Sequence, residues 1–292
     1  MFIALAVFLA ASSVACGEPA PESTRQSRSD TVDTAAEPIA PARYLTNFMF
    51  AGADRTAFFG KFDQTTNQRA LLRTYDAWWA GSDGWTELLR LRDTLPVPRA
   101  AWRVLPATAM QVQVGDAREV VALTFPAPSG RVELRANADA SVWTGPTGQR
   151  ESIGFATLVA GGEAASGILF FRRAARALQF PGDPGEGRGF VMADSAGNGL
   201  LIETDRSDEP AVARTWFDGA VASWDSVTFV ADSVSADETA RSWRFEIPGA
   251  ALSGTIRAIP EAGVPAFRIE GDLLADGELL RFTGLAAPLP LP

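Results

Sequence analysis

The strongest constraint on this chain is a repeat of two. MQVQV (Met110–Val114), RVEL (Arg131–Leu134), Thr228–Val230, WRFEI (Trp243–Ile247) and FRIE (Phe267–Glu270) each alternate apolar with polar side chains. Such alternation sends successive side chains to opposite faces, which is the pattern of a strand with one buried face. Turn formers punctuate these segments: Val114-Gly-Asp116, Pro128-Ser-Gly130, Asn198-Gly199, Pro248-Gly249 and Asp276-Gly277. Asp276-Gly277 lies between two apolar runs, so it predicts a two-residue type I′ hairpin. From about residue 80 onward the chain is therefore expected to be all-β and mainly antiparallel.

One stretch carries a different period. In TTNQRALLRTYDAWWAG, Leu71, Leu72, Tyr75, Trp78 and Trp79 fall at i, i+1, i+4, i+7 and i+8. That is the stripe of an amphipathic helix, with Thr66 or Asn67 as cap and Gly81 past its end. The spacing predicts a short helix over residues 67–80.

The alternating region also carries a faint internal likeness. Trp102-Arg-Val-Leu-Pro106 followed by Met110 matches Trp243-Arg-Phe-Glu-Ile-Pro248 followed by Leu252, about half the folded length away. Self-similarity at that distance points to a duplicated β unit. The segment Trp243–Leu252 resembles part of the second domain of the AttH and carotenoid-hydratase (hydroxyneurosporene synthase) superfamily, and Gly189–Asp194 with Gly199–Ile202 resembles one of its hairpins. The resemblance implies two lipocalin-like β-barrels in tandem, set at 43–160 and 161–292. The acidic-aromatic stretch of the hydratases is absent; Trp216-Phe-Asp218-Gly219 is the nearest approach to it.

The N-terminus has its own logic. Met1–Ala15 is apolar and uncharged, shorter than the roughly 20 residues of a spanning helix and of signal-peptide length. Ser13-Val14-Ala15-Cys16 resembles the lipobox of bacterial lipoproteins, which implies cleavage after residue 15 and a diacylglyceryl group on Cys16. Residues 16–42, rich in Pro, Ala, Ser, Thr and charge, suit a disordered tether. Gly17 is not an inner-membrane retention residue, so in a Gram-negative cell the expected location is the periplasmic face of the outer membrane. Cys16 is the single cysteine, so the chain has no internal disulfide and its core must supply its stability.

Chemistry is sparse. The chain has no histidine, which removes Ser-His-Asp and Cys-His catalysis together with the commonest metal ligand. Ser195, in Ala193-Asp-Ser-Ala-Gly197, lacks an activating base and reads as a turn residue. The loop from Asp194 to Gly199 half-resembles a calcium loop but lacks an oxygen ligand at its third position, and a hairpin explains it better. Gly182–Gly189 is glycine-rich without the Lys-Ser/Thr of a phosphate loop, and reads as surface. A net charge of −9 argues against nucleic acid, which requires a basic face. Carboxylates remain as the available acid or base, with Asp54, Asp63, Asp76, Asp218 and Asp225 lying among aromatics.

Eight tryptophans are numerous for this length; most are expected in the core, but a lipocalin-like barrel has room for one small ligand that a few of them could line. The expected function is non-catalytic binding of a small apolar molecule of lipid or isoprenoid type, through Trp216, Phe217, Asp218, Trp224 and Phe229, by a membrane-anchored lipoprotein. No catalytic residue, metal or cofactor is expected. Two alternatives stand beside it: a carboxylate-dependent hydratase or isomerase, and an interaction protein with no ligand.

Overall fold

Alternation settles where each strand lies only once its partners are known. The computed structural model describes residues 42–290 except 67–69, 97–109, 116–119, 138–139, 145–147, 178–185, 206–209, 235–240, 260 and 262. In the first half, β1 (Ala42–Gly52), β2 (Ala57–Thr66), β3 (Ala70–Gly81) and β4 (Gly84–Pro96) form a meander. They are followed by β5 (Gln111–Val114), β6 (Val120–Ala127), β7 (Gly130–Ala136), β8 (Ser141–Thr144), β9 (Arg150–Ala160) and β10 (Glu163–Ala177). The second half begins with β11 (Glu186–Ala193), β12 (Gly199–Thr204), β13 (Pro210–Phe217) and β14 (Ala220–Trp224). It ends with β15 (Thr228–Val234), β16 (Arg241–Ile247), β17 (Leu252–Ala258), β18 (Phe267–Ala275) and β19 (Glu278–Pro290). A 3-10 turn at Pro248–Ala250 is the only helical element among the described residues.

The first sheet runs β4-β3-β2-β1-β10-β9-β7-β6-β5, with β8 added on β9, and the second runs β14-β13-β12-β11-β19-β18-β17-β16-β15. With β8 set aside, the two orders match strand for strand. The duplication is therefore real, but the sequence match that pointed to it was out of register. Trp102–Pro106 lies outside the described residues and precedes β5, whereas the counterpart of β16 is β6. The matching strings are Leu123-Thr-Phe125-Pro126 and Phe245-Glu-Ile247-Pro248, whose four apolar side chains are all buried. Residue 160 ends β9, and β10 pairs with both β1 and β9, so the first sheet runs through Ala177 and the second begins at Glu186.

The helix expected over 67–80 is instead β3, with residues 67–69 outside the described set. Leu71, Tyr75, Ala77 and Trp79 point to one side of this strand, while Trp78 and Ala80 point to the other. Both sides are covered, so its apolar residues run nearly continuously and imitate a helical stripe; Leu72, a member of that stripe, is in fact exposed.

Each sheet curls around its own core. Phe48, Phe62, Tyr75 and Phe171 belong to the first, and Phe190, Phe229, Trp243 and Phe245 to the second. Curling brings backbones close: a Cβ on Gly167 of β10 or Gly284 of β19 would sit 1.9 Å from the carbonyl oxygen of Ala51 or Val191. A third cluster joins the halves as a seam, with Met49, Phe59, Trp78 and Phe170 on one side and Val191, Leu201, Trp216 and Leu285 on the other. Thr283 donates to the Gly52 carbonyl at 2.8 Å across this seam, and Asn47 Nδ2 donates to Pro288 O at 3.2 Å. Both hairpins with a two-residue Asp-Gly turn have positive φ at each centre, 49° and 86° at Asp276-Gly277 and 51° and 77° at Asp218-Gly219. Those are the type I′ signs.

Candidate binding site

β10 carries consecutive arginines in the run Phe170-Phe-Arg-Arg-Ala174. A strand sends neighbours to opposite faces, so the pair is divided. Arg172 enters the seam beside Phe170, and Arg173 enters the first half-barrel beside Phe171.

Two rows of side chains cross the inner face at this end of the first half-barrel. One runs Leu91, Tyr75, Phe62, Thr46, Arg173 from β4 to β10; the next runs Asp93, Arg73, Gln64, Tyr44, Ala175. Aromatic rings line the adjoining wall, with Phe48 centred 5.1 Å from Phe62 and 5.3 Å from Phe171, and Phe62 stacked 4.6 Å from Tyr75. Arg73 Nε donates to Asp93 Oδ1 at 2.7 Å. That bond holds the Asp93 carboxyl below its ordinary range and the Arg73 guanidinium above its own, so the pair is internally neutralised.

Among the described residues no carboxylate lies against Arg173. Its guanidinium lies 5.4 Å over the Tyr44 ring, and its Nη2 is shielded from solvent without a hydrogen-bond partner. Burial pushes its pKa down to about 10, against support from Tyr44 and Tyr75. Thr46 and Gln64 are fully buried beside it, and neither the Thr46 hydroxyl nor either end of the Gln64 amide has a partner. Each such unsatisfied group costs about 1–3 kcal/mol. Several converging on one face next to an aromatic wall form the arrangement of a ligand site, where a few polar groups orient a mostly apolar occupant.

The seam holds the opposite electrostatic arrangement. Arg172 Nε donates to Glu151 Oε1 at 2.6 Å, and Arg172 also pairs with Glu203. Arg214 pairs with Glu203 and lies 3.3 Å from Glu151 Oε2, with its guanidinium 4.5 Å over the Trp143 ring; Trp143 Nε1 donates to Glu151. Burial works against the Arg172 charge, yet Glu203 and Glu151 outweigh it and raise the pKa. Two carboxylates and two guanidiniums close the network, so it binds the two halves to each other.

The aromatic residues expected to bind ligand divide between two packed clusters. Trp216 is buried in the seam. Phe217, Trp224 and Phe229 pack on the core of the second half-barrel, where Trp224 Nε1 donates to Thr215 Oγ1 at 3.1 Å. Asp218 is exposed at its hairpin turn. The carboxylates near aromatics are likewise dispersed. Asp54 accepts from Thr56 in its own turn, Asp63 pairs with Arg43, Asp76 pairs with Arg92, and Asp225 is exposed. Asp194 closes its own hairpin by accepting from the Ala196 and Asn198 amides at 2.8 Å, as a turn reading of that loop requires. Cys16 lies outside the described residues. The polar inner face was missed in the sequence, although adjacent arginines inside an apolar strand were its visible signal: one of the two had to turn inward.

No protein-family model matches the chain, and no curated protein sequence does. Among solved structures, the AttH protein from Nitrosomonas europaea aligns over 85% of this chain and 92% of its own at 12% identity and a TM-score of 0.46. CghA, solved with Sch210972, aligns over 86% and 89% at 12% identity and a TM-score of 0.49. Kievitone hydratase from Nectria haematococca aligns over 87% of this chain and 90% of its own, at 10% identity and a TM-score of 0.51. The chain thus shares with kievitone hydratase the tandem half-barrel fold that the resemblance in its sequence implied.

Proposed function

We propose that this chain is a lipid-anchored binding protein of the bacterial envelope, and that its first half-barrel holds a small molecule with an apolar body. The observation that carries the reading is the group of buried, unpartnered polar atoms of Thr46, Gln64 and Arg173 beside the Phe48–Phe62–Phe171 wall. A folded core tolerates such groups where an occupant satisfies them. The anchor rests on Ser13–Cys16 and the tether composition, and two or three acyl chains on Cys16 give a stable attachment.

Native mass spectrometry of the full chain purified from its own host, with lipid extraction, tests the binding. An apolar molecule should co-purify and compete with the neutral fluorophore N-phenyl-1-naphthylamine. Thr46→Trp, which fills the inner face, should abolish both, whereas Asp218→Asn should leave both intact. Absence of any bound molecule together with no uptake of the fluorophore would sink the reading. For the anchor, globomycin should block maturation, and a mature N-terminus other than acylated Cys16 would end that part.

Hydration by a carboxylic acid fits less well, although a hydratase shares the fold. A proton-donating acid at neutral pH needs a raised pKa, obtained by burial away from cations. Each buried carboxylate among the described residues is already engaged: Asp76 by Arg92, Glu151 and Glu203 by Arg172 and Arg214, and Asp194 by its own turn.

A further inference from the structure

We infer that the occupant of the first half-barrel carries an anionic head, a carboxylate or a phosphate monoester, and that Arg173 with Gln64 and Thr46 receives it. The inference rests on the binding reading above and adds to it the chemistry of the ligand.

Charge points this way first. Groups on the strands facing Arg173 are Tyr44 and Thr46 on β1, Phe62 and Gln64 on β2, Arg73 and Tyr75 on β3, Asp93 on β4, and Arg150 on β9. Asp93, the one carboxylate in this group, is committed to Arg73. Arg150 stands directly across from Arg173 in the sheet and bonds only a hydroxyl, that of Thr144 at 2.7 Å. Among the described residues the inner face therefore holds excess positive charge, within a protein whose net charge is −9. Tyr44 offers its ring to Arg173, which supports a cation without neutralising it.

Geometry points the same way. A guanidinium presents a planar fork that matches two oxygens of a carboxylate or phosphate, and the free Nη2 of Arg173 is one arm of such a fork. Gln64 Nε2 is a second unpartnered donor, and the Thr46 hydroxyl a third. Thr46 is the cross-strand partner of Arg173, and Gln64 lies diagonal to Thr46 on the same face, close enough for long side chains to share one ligand group. An anion accepts from all three at once. A neutral alcohol or ketone head offers one oxygen and leaves the Arg173 charge uncompensated.

The test compares dodecanoate, dodecyl phosphate and 1-dodecanol as competitors of N-phenyl-1-naphthylamine on the full chain at pH 7. Equal tails make dodecanol the internal reference. At least one of the two anions should compete about tenfold more tightly than dodecanol, the size expected of a charge-assisted hydrogen bond. Whichever anion leads identifies the head. In Arg173→Gln that ratio should fall towards one, and Arg173→Lys, which keeps the charge and loses the fork, should retain part of it. Equal competition by all three, or an anion preference that survives Arg173→Gln, would overturn the inference while leaving apolar binding intact. No uptake of the fluorophore would remove the binding reading and this inference with it.

Discussion

The two half-barrels share one strand order and fill it in opposite ways. Inside the second, aromatic residues pack on one another: Trp243 lies parallel to Phe267 at 6.0 Å and edge-on to Phe190 at 5.1 Å. Inside the first, Phe62 and Tyr75 share their row with Thr46 and Arg173, and the next row holds Gln64, Arg73 and Asp93. At the position of Arg173 the second half has Pro288, by alignment of the β9–β10 and β18–β19 turns. Among the described residues, the second interior leaves one buried polar atom unpartnered, Trp243 Nε1, whereas the first leaves those of Thr46, Gln64 and Arg173 and gives up more stability to them. Under the proposed binding function, one copy of the repeated unit is scaffold and the other receptor, the trade expected where function tolerates local cost.

The contrast can be broken most forcefully in the second half. Trp243→Ala removes its largest fully buried side chain and should cost about 3–5 kcal/mol in urea unfolding. Binding of N-phenyl-1-naphthylamine by the fraction that remains folded should be unaltered, because the proposed site is in the other half. A variant that unfolds no more easily than the parent would show that this interior is not tightly packed.

Adjacent arginines sharpen it. Arg172→Met leaves Glu151 and Glu203 in the seam with Arg214 alone against two buried carboxylates, and should destabilise the chain by about 3–5 kcal/mol, as breaking a buried pair does. Arg173→Met removes a charge that has no partner, and should stabilise the unliganded protein by about 1–3 kcal/mol. Opposite signs at neighbouring positions are the signature to look for in denaturation midpoints. The Arg173 effect also has a pH window. Burial depresses its folded pKa to about 10, below the ordinary arginine value, so from about pH 10 upward the folded state binds fewer protons than the unfolded state, and the charge cost eases as pH rises through that window. The advantage of Arg173→Met over the parent should therefore be full at pH 8 and smaller at pH 11; an advantage that grows with pH contradicts the assignment.

The smallest expected effect is at Gln64. Gln64→Leu replaces an unpartnered amide with an apolar side chain of similar length, and should raise the stability of the unliganded protein by about 1 kcal/mol. It should also weaken dodecanoate more than dodecanol. A loss of stability on this change would mean that the Gln64 amide is satisfied in the folded protein.

Much of the architecture was legible before any pairing was known. Alternation in Met110–Val114, Arg131–Leu134 and Trp243–Ile247 marks strands because a half-buried strand has no other way to arrange its side chains. Asp276-Gly277 specifies its turn because positive φ at two successive residues suits few other pairs. Local rules of this kind depend on neighbouring residues alone, so the sequence carries them complete, and the tandem β architecture follows from their sum.

What alternation lacks is the identity of the two faces. It places Arg172 and Arg173 on opposite sides of a strand without saying that one side is a seam with two carboxylates and the other an interior where Asp93 is already committed to Arg73. It cannot distinguish β3, covered on both faces, from a helix, because a strand that is buried twice loses its polar positions. Nor could it show that Trp216 and Phe217 part company, one to the seam and one to the second core, since that depends on β12 and β14 pairing either side of β13 and on the first half-barrel closing over one face. Those outcomes belong to long-range pairing: Thr46 meets Arg173 across 127 positions of chain, and the tertiary structure alone brings them together.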